Sequence, residues 1–148
     1  MKLNDILNGL TILEATADLN ADITDVCYDS RQAVEGGLFV AIAGAATDGH
    51  KYIPMVQEKG AACVVCQQVP DCGIPYVLVE DSRRALAVIA CNWFDHPSRE
   101  MTMVGVTGTS GKTTSTYLIK SILEQKAGAK VGLIGTIPVS YTHLTLPT

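Results

Sequence analysis

No window of the 148 residues approaches the roughly 18 consecutive apolar positions that a membrane-crossing helix needs, and Met1-Lys2-Leu3-Asn4-Asp5 opens without the apolar core of a secretory signal. These two absences predict a cytoplasmic protein with no membrane partner. Positive charge is also scarce: 11 Lys and Arg against 15 Asp and Glu leave a net charge of -4 and a pI near 5.2. That balance excludes a general nucleic-acid binder, so any anionic ligand has to be held by local geometry. The cysteines, Cys27, Cys63, Cys66, Cys72 and Cys91, are odd in number and lack the dense spacing of a secreted disulfide scaffold, which predicts reduced thiols. No cluster has metal-ligand spacing, and no internal repeat or low-complexity tract is present.

What is there is a chain of 47% hydrophobic and 18% charged residues, enough to bury a core in one ordinary domain, or in one small domain plus part of another. Leu3, Ile6, Leu7 and Leu10 fall on one face of a short opening helix. Apolar runs over 23–28, 38–43, 61–66 and 76–80 predict strands, with a helix from Tyr52 to Gly60 and another that Ser82 caps, burying Leu86, Ile89, Ala90 and Trp93. Cys63 and Cys66 form a C-x-x-C pair, yet residues three apart on a strand face opposite ways, so they are expected as buried hydrophobes and not as a disulfide or metal site. His50 has two readings, a base or phosphate ligand and a capping residue at a helix start. The polar, proline-punctuated segment 95–100 is the expected domain boundary.

Beyond it lies the most informative stretch, Val104-Gly105-Val106-Thr107-Gly108-Thr109-Ser110-Gly111-Lys112-Thr113-Thr114. An apolar, β-branched run over 101–107 predicts a strand, and Leu118, Ile119, Ile122 and Leu123 give helical spacing after the loop. A second buried strand is expected over 131–136, completing a parallel strand–helix–strand unit. Glycines let backbone N–H groups close on phosphate oxygens, a helix N-terminus adds positive potential, Lys112 offsets phosphate charge and the Thr113 hydroxyl suits Mg2+. The strict phosphate-loop pattern would have its first glycine at 106, where this chain has Val106 with glycines at 105 and 108 instead. A glycine-rich turn with an incidental lysine is the competing reading, and the flanking strand and helix patterns argue against it.

Asp29-Ser30-Arg31, Gly37-Leu38-Phe39-Val40-Ala41, Asp48-Gly49-His50-Lys51-Tyr52-Ile53 and the loop over 105–114 together resemble the N-terminal part of a Mur ligase. These ATP-dependent enzymes form the amide bonds of the peptidoglycan peptide stem. The likeness covers residues 1 to 137, and Gly132-Leu133-Ile134-Gly135-Thr136 resembles the MurE type more than the MurF type, which shares the first two acidic motifs. It implies an α/β fold: a UDP-substrate domain over 1–97, the start of a parallel-sheet ATPase domain over 98–137, and a tail over 138–148 that is either foreign sequence or a loop cut mid-domain.

The same resemblance implies that Gly108, Thr109, Ser110, Gly111, Lys112, Thr113 and Thr114 bind ATP, with Lys112 at the β/γ positions and Thr113 near Mg2+. Tyr28, Ser30, Ala45, Ala46 and Thr47 would contact UDP. Some relatives have His-Gln where this chain has Ala45-Ala46, which shifts the expected contact there to the backbone. The implied substrates are UDP-N-acetylmuramoyl-L-alanyl-D-glutamate and a diamino acid, joined through an acyl phosphate by an enzyme that is monomeric at full length. This chain alone is expected to be inactive. A MurF-type fragment and a UDP-muramoyl-peptide binding module without catalysis are the alternatives.

Overall fold

Strand residues that are apolar on both faces need a layer on each side, and the first hundred or so residues of the chain supply both. The computed structural model describes residues 1–44, 47–127, 129–135 and 140–141, which fall into two units, Met1–Met101 and Thr102–Thr148. In the first, strands β1 (Ile12–Ala15), β2 (Val26–Cys27), β3 (Leu38–Val40), β4 (Cys63–Cys66) and β5 (Tyr76–Val79) form one sheet in the order β1-β5-β4-β3-β2. β2 to β5 run parallel, and β1 closes the far edge antiparallel to β5.

The two-residue period of the strands sorts the core cleanly. Leu38, Val40, Cys63, Val65, Val77 and Val79 point to one face, where they meet Leu3 and Ile6 of α1 (Leu3–Ile6) and Ala85 and Ile89 of α3 (Ser82–Trp93). Phe39, Val64, Cys66 and Tyr76 point to the other, against Ile53 and Val56 of α2 (Ile53–Glu58). The pair Cys63 and Cys66 is thus split between the faces, as the strand period requires, and both thiols are free.

Three local features depart from the sequence reading. β1 was not anticipated: Leu13 interrupts its register with β5 as a bulge between Ile12 and Glu14, and the strand exists through long-range pairing and not through an apolar alternation. The strand expected over 23–28 shrinks to Val26–Cys27, because it lies at the sheet edge with only β3 as a neighbour. The cap of α3 is Asp81 and not Ser82: extended backbone at Asp81 aims its carboxylate at the amides of Arg83 and Arg84 (2.9 and 3.1 Å), while the Ser82 hydroxyl donates to Gln67 Oε1 (2.8 Å).

The second unit holds α4 (Lys112–Ala127) and a two-stranded antiparallel ladder of β6 (Gly132–Leu133) and β7 (Ser140–Tyr141). The segment expected as a strand over 101–107 joins no ladder among the described residues, and Met101, Met103 and Val104 are exposed. A parallel strand exists only through its neighbours, and no other described strand lies in register beside this one. On α4, Leu118 and Ile122, two of the residues that give the helical spacing, are 59% and 56% exposed, and Lys120 is buried. Apart from Ser140–Tyr141, the tail over 138–148 lies outside the described residues.

Candidate functional site

In open α/β sheets, ligands collect beyond the carboxyl ends of the parallel strands. β2 ends there in Tyr28, Asp29 and Ser30, and its neighbour β3 ends in the loop that contains Thr47. The structure therefore brings Tyr28, Ser30 and Thr47 to one sheet margin, while Ala45 and Ala46 lie outside the described residues.

After β2 the chain turns through a 3-10 segment, Ser30–Gln32, capped by Asp29, whose carboxylate accepts the Arg31 amide at 3.0 Å. The Arg31 guanidinium folds back onto the same carboxylate (Nη2 to Oδ2, 2.6 Å). That side-chain bond, followed by the amide bond, holds the Asp29 carboxyl down at about 2. The turn presents Ser30 nearly buried and leaves Tyr28 66% exposed. From the end of α2, Lys59 reaches the turn and donates from Nζ to the carbonyls of Ser30 and Arg31 (2.8 and 2.9 Å).

The loop after β3 is drawn tight. Gly44 N–H donates to Thr47 O (3.0 Å) and Gly49 N–H to Ile42 O (2.8 Å). A Cβ on Gly44 would come within 2.5 Å of Thr47 O and one on Gly49 within 2.8 Å of Ile42 N, so both positions require glycine. Asp48 caps the 3-10 turn Gly49–Tyr52 and accepts from the His50 amide (3.0 Å) and from His50 Nδ1 (2.6 Å). The other ring nitrogen, Nε2, accepts the Gln67 amide (2.9 Å), which makes Nδ1 the protonated nitrogen. With its side chain 9% exposed and both nitrogens engaged, His50 ties the loop to the end of β4. The cap of this turn is therefore Asp48, and His50 lies inside it as a link between loop and sheet, with both ring nitrogens hydrogen-bonded. Arg83 adds a further tie to the same loop, donating to Ala43 O at 3.3 Å. Neither Lys59 nor Arg83 carried a sequence signal, since each binds backbone carbonyls remote in the chain.

In the second unit the glycine loop runs into α4. Gly111 takes φ +74, a left-handed conformation that side chains resist, and the Ser115 amide makes the first helical bond to Gly111 O (2.9 Å). The amides of Lys112, Thr113 and Thr114 precede that bond and stand at the positive end of a 16-residue helix. Lys112 curls over the loop and donates from Nζ to Gly108 O. Val106, Lys112, Thr113, Thr116 and Tyr117 border a hollow of about 130 Å3, so the departure from the strict glycine pattern lies in its wall. A Cβ on Gly111 would meet nothing within 4 Å, so the backbone there is bare.

These residues fit a polyphosphate: bare glycine backbone, helix-terminal amides, and an ammonium beside them. For Mg2+, Thr113 offers one hydroxyl, and no group of three or more His, Cys, Asp or Glu among the described residues is placed to hold a metal. Phosphate oxygens and water would complete its shell. No described helix is long and apolar enough to cross a membrane.

Two family models match the chain: one described as "Mur ligase family, catalytic domain" over residues 22–94 and one described as "Mur ligase middle domain" over 106–148. Among curated proteins, a UDP-N-acetylmuramoyl-L-alanyl-D-glutamate--2,6-diaminopimelate ligase of Clostridium acetobutylicum is 48% identical over 93% of this chain, and one of Clostridioides difficile is 46% identical over 94%. The chain spans 29% of the length of each. Among solved structures, MurF of Acinetobacter baumannii aligns with TM-score 0.55 and 29% identity, covering 70% of this chain and 23% of that one. MurF of Thermotoga maritima in complex with ADP aligns with TM-score 0.53 and 30% identity, covering 69% and 23%.

Proposed function

The chain belongs to the Mur ligase family, and from that premise we propose that it is the substrate-entry and phosphate-loop part of a cytoplasmic ligase. The whole enzyme joins a diamino acid to the glutamate of UDP-N-acetylmuramoyl-L-alanyl-D-glutamate. The names of the relatives support 2,6-diaminopimelate as that amine. The observation that carries the reading is the glycine loop at the head of α4, with Lys112 and three helix-terminal amides converging beside the bare backbone of Gly111.

Residues 1–97 would form the UDP-substrate domain, with Ser30, Tyr28 and Thr47, together with Ala45 and Ala46, against the UDP end. Residues 98–137 would open the ATP-binding domain. When bound, ATP would supply the phosphoryl group that activates the substrate carboxylate, and Mg2+ would offset its charge. Gly108, Thr109, Ser110 and Gly111 would hold the phosphate chain with backbone amides, and Thr114 would extend the row of donors. Lys112, whose Nζ donates to Gly108 O, would offset the phosphate charge, and Thr113 would offer its hydroxyl to the metal. Such fixed donors act on charge that grows during phosphoryl transfer, which is where they lower the barrier.

Calorimetric titration of the 148-residue chain with UDP-N-acetylmuramoyl-L-alanyl-D-glutamate and with ATP tests the reading. Binding of both is expected, with the ATP signal lost in Lys112→Met. Tripeptide formation by this chain alone would overturn its assignment as a part of the enzyme. The solved MurF structures, at 29–30% identity, give weaker support to a second reading, a MurF-type ligase, and preference for the UDP-muramoyl-tripeptide over the dipeptide would establish it.

A further inference from the structure

The turn after β2 hangs on a side chain from another element. Lys59 caps α2, and its stem crosses 28 to 29 residues of sequence to place Nζ against the Ser30 and Arg31 carbonyls. Two of the three ammonium protons are thereby committed to main-chain oxygens of the turn. The end of the helix is itself anchored to the same segment: Gly36 N–H donates to Gly60 O at 2.9 Å, and Gly60, at φ +82, packs its backbone against Glu35. The Asp29 cap and the Arg31 clamp hold the turn from within its own segment; Lys59 holds it from another element. Bonds from an ammonium to two successive carbonyls fix the orientation of the intervening peptide, and that peptide sets where the Ser30 hydroxyl lies.

We propose that Lys59 is a positioning residue for UDP recognition, fixing the turn that presents Ser30 without touching the ligand. This rests on the assignment of Ser30 to the UDP end, so the test separates the two. UDP is titrated into the 15N-labelled 148-residue chain and into Ser30→Ala, Lys59→Met, Lys59→Gln and Lys59→Arg. Ser30→Ala and Lys59→Met are each expected to weaken UDP binding about tenfold, the equivalent of roughly 1.4 kcal/mol. Lys59→Arg, which keeps charged donors, should recover most of the loss. Before ligand is added, Lys59→Met should shift the amide resonances of Ser30 and Arg31 while leaving those of α3 in place, and affinity for ATP should not change. If Lys59→Met does not fold, Lys59→Gln against Lys59→Arg gives the same readout.

Weakened binding in Ser30→Ala with wild-type affinity in Lys59→Met overturns the positioning role and leaves the Ser30 assignment standing. Equal losses in Lys59→Met and Lys59→Arg also overturn it. Wild-type affinity in Ser30→Ala, or absence of UDP binding by the unaltered chain, removes the Ser30 assignment and the inference with it.

Discussion

At the scale of single residues, the candidate substrate margin is held by charged groups committed to partners within the protein. Asp29 is the clearest case. Its carboxyl sits at about 2 because the Arg31 side chain binds it first and the Arg31 amide second, against an ordinary aspartate value of about 3.9. A carboxyl depressed in the folded state stabilises above its unfolded value and loses that contribution as pH falls through the folded one. The contribution of Asp29 to the turn should therefore be complete at neutral pH and be lost as pH falls through about 2. Carboxyl 13C titration should show the midpoint rising toward the ordinary value in Arg31→Gln; an unmoved midpoint would mean the guanidinium is not the cause. His50 makes a different prediction. Its removal leaves the exposed Gln67 amide to water while Asp48 Oδ1 keeps the backbone amide of residue 50, so His50→Ala loses two side-chain bonds without burying an unpaired group and should cost about 0.5–1.5 kcal/mol in urea unfolding. A cost near zero would show that the tie from the loop to β4 carries no strain-bearing role. The Asp48-Gly49-His50 spacing was visible in the sequence, but the partner on Gln67 was not, because it is an amide 17 residues away.

At the scale of elements, the strands that pair in the middle of the sheet were legible and those that depend on context were not. The runs that became β3, β4 and β5 are apolar on both faces, a pattern only a two-layered cover explains. β1 contains Leu-Glu-Ala, which reads as nothing in particular until β5 lies beside it. The run over 101–107 shows the converse: β-branched residues alone do not make a strand without neighbours in register. The glycine spacing over 105–114 is a local signal that survives any tertiary context. The helices allow a direct comparison. Ile89 on α3 is wholly buried, whereas Leu118 and Ile122 on α4 are more than half exposed. Ile89→Ala should destabilise by about 2–5 kcal/mol, and Leu118→Ala or Ile122→Ala by no more than about 0.5 kcal/mol in this chain. Matched losses at all three positions in denaturant titrations would show that the face of α4 is covered in solution.

At the scale of the whole molecule, the thiols report on the fold from both sides of the sheet. Burial pushes Cys63 up to about 12 and Cys66 up to about 11, and burial first and Asp25 second push Cys27 up to about 11. These three stay protonated and shielded at pH 8, while Cys91 is exposed and Cys72 partly so. A thiol-specific reagent should therefore label Cys91 and Cys72 promptly and the other three only at the rate at which the first unit opens. Prompt labelling of all five would contradict the two-faced core. The margins of that sheet have a further consequence. On one side Leu13 breaks the row of amides and carbonyls, and on the other β2 is only two residues long. A second copy meeting either margin finds the hydrogen-bonding row out of step or too short, so the sheet is self-terminating and offers fibril growth no template.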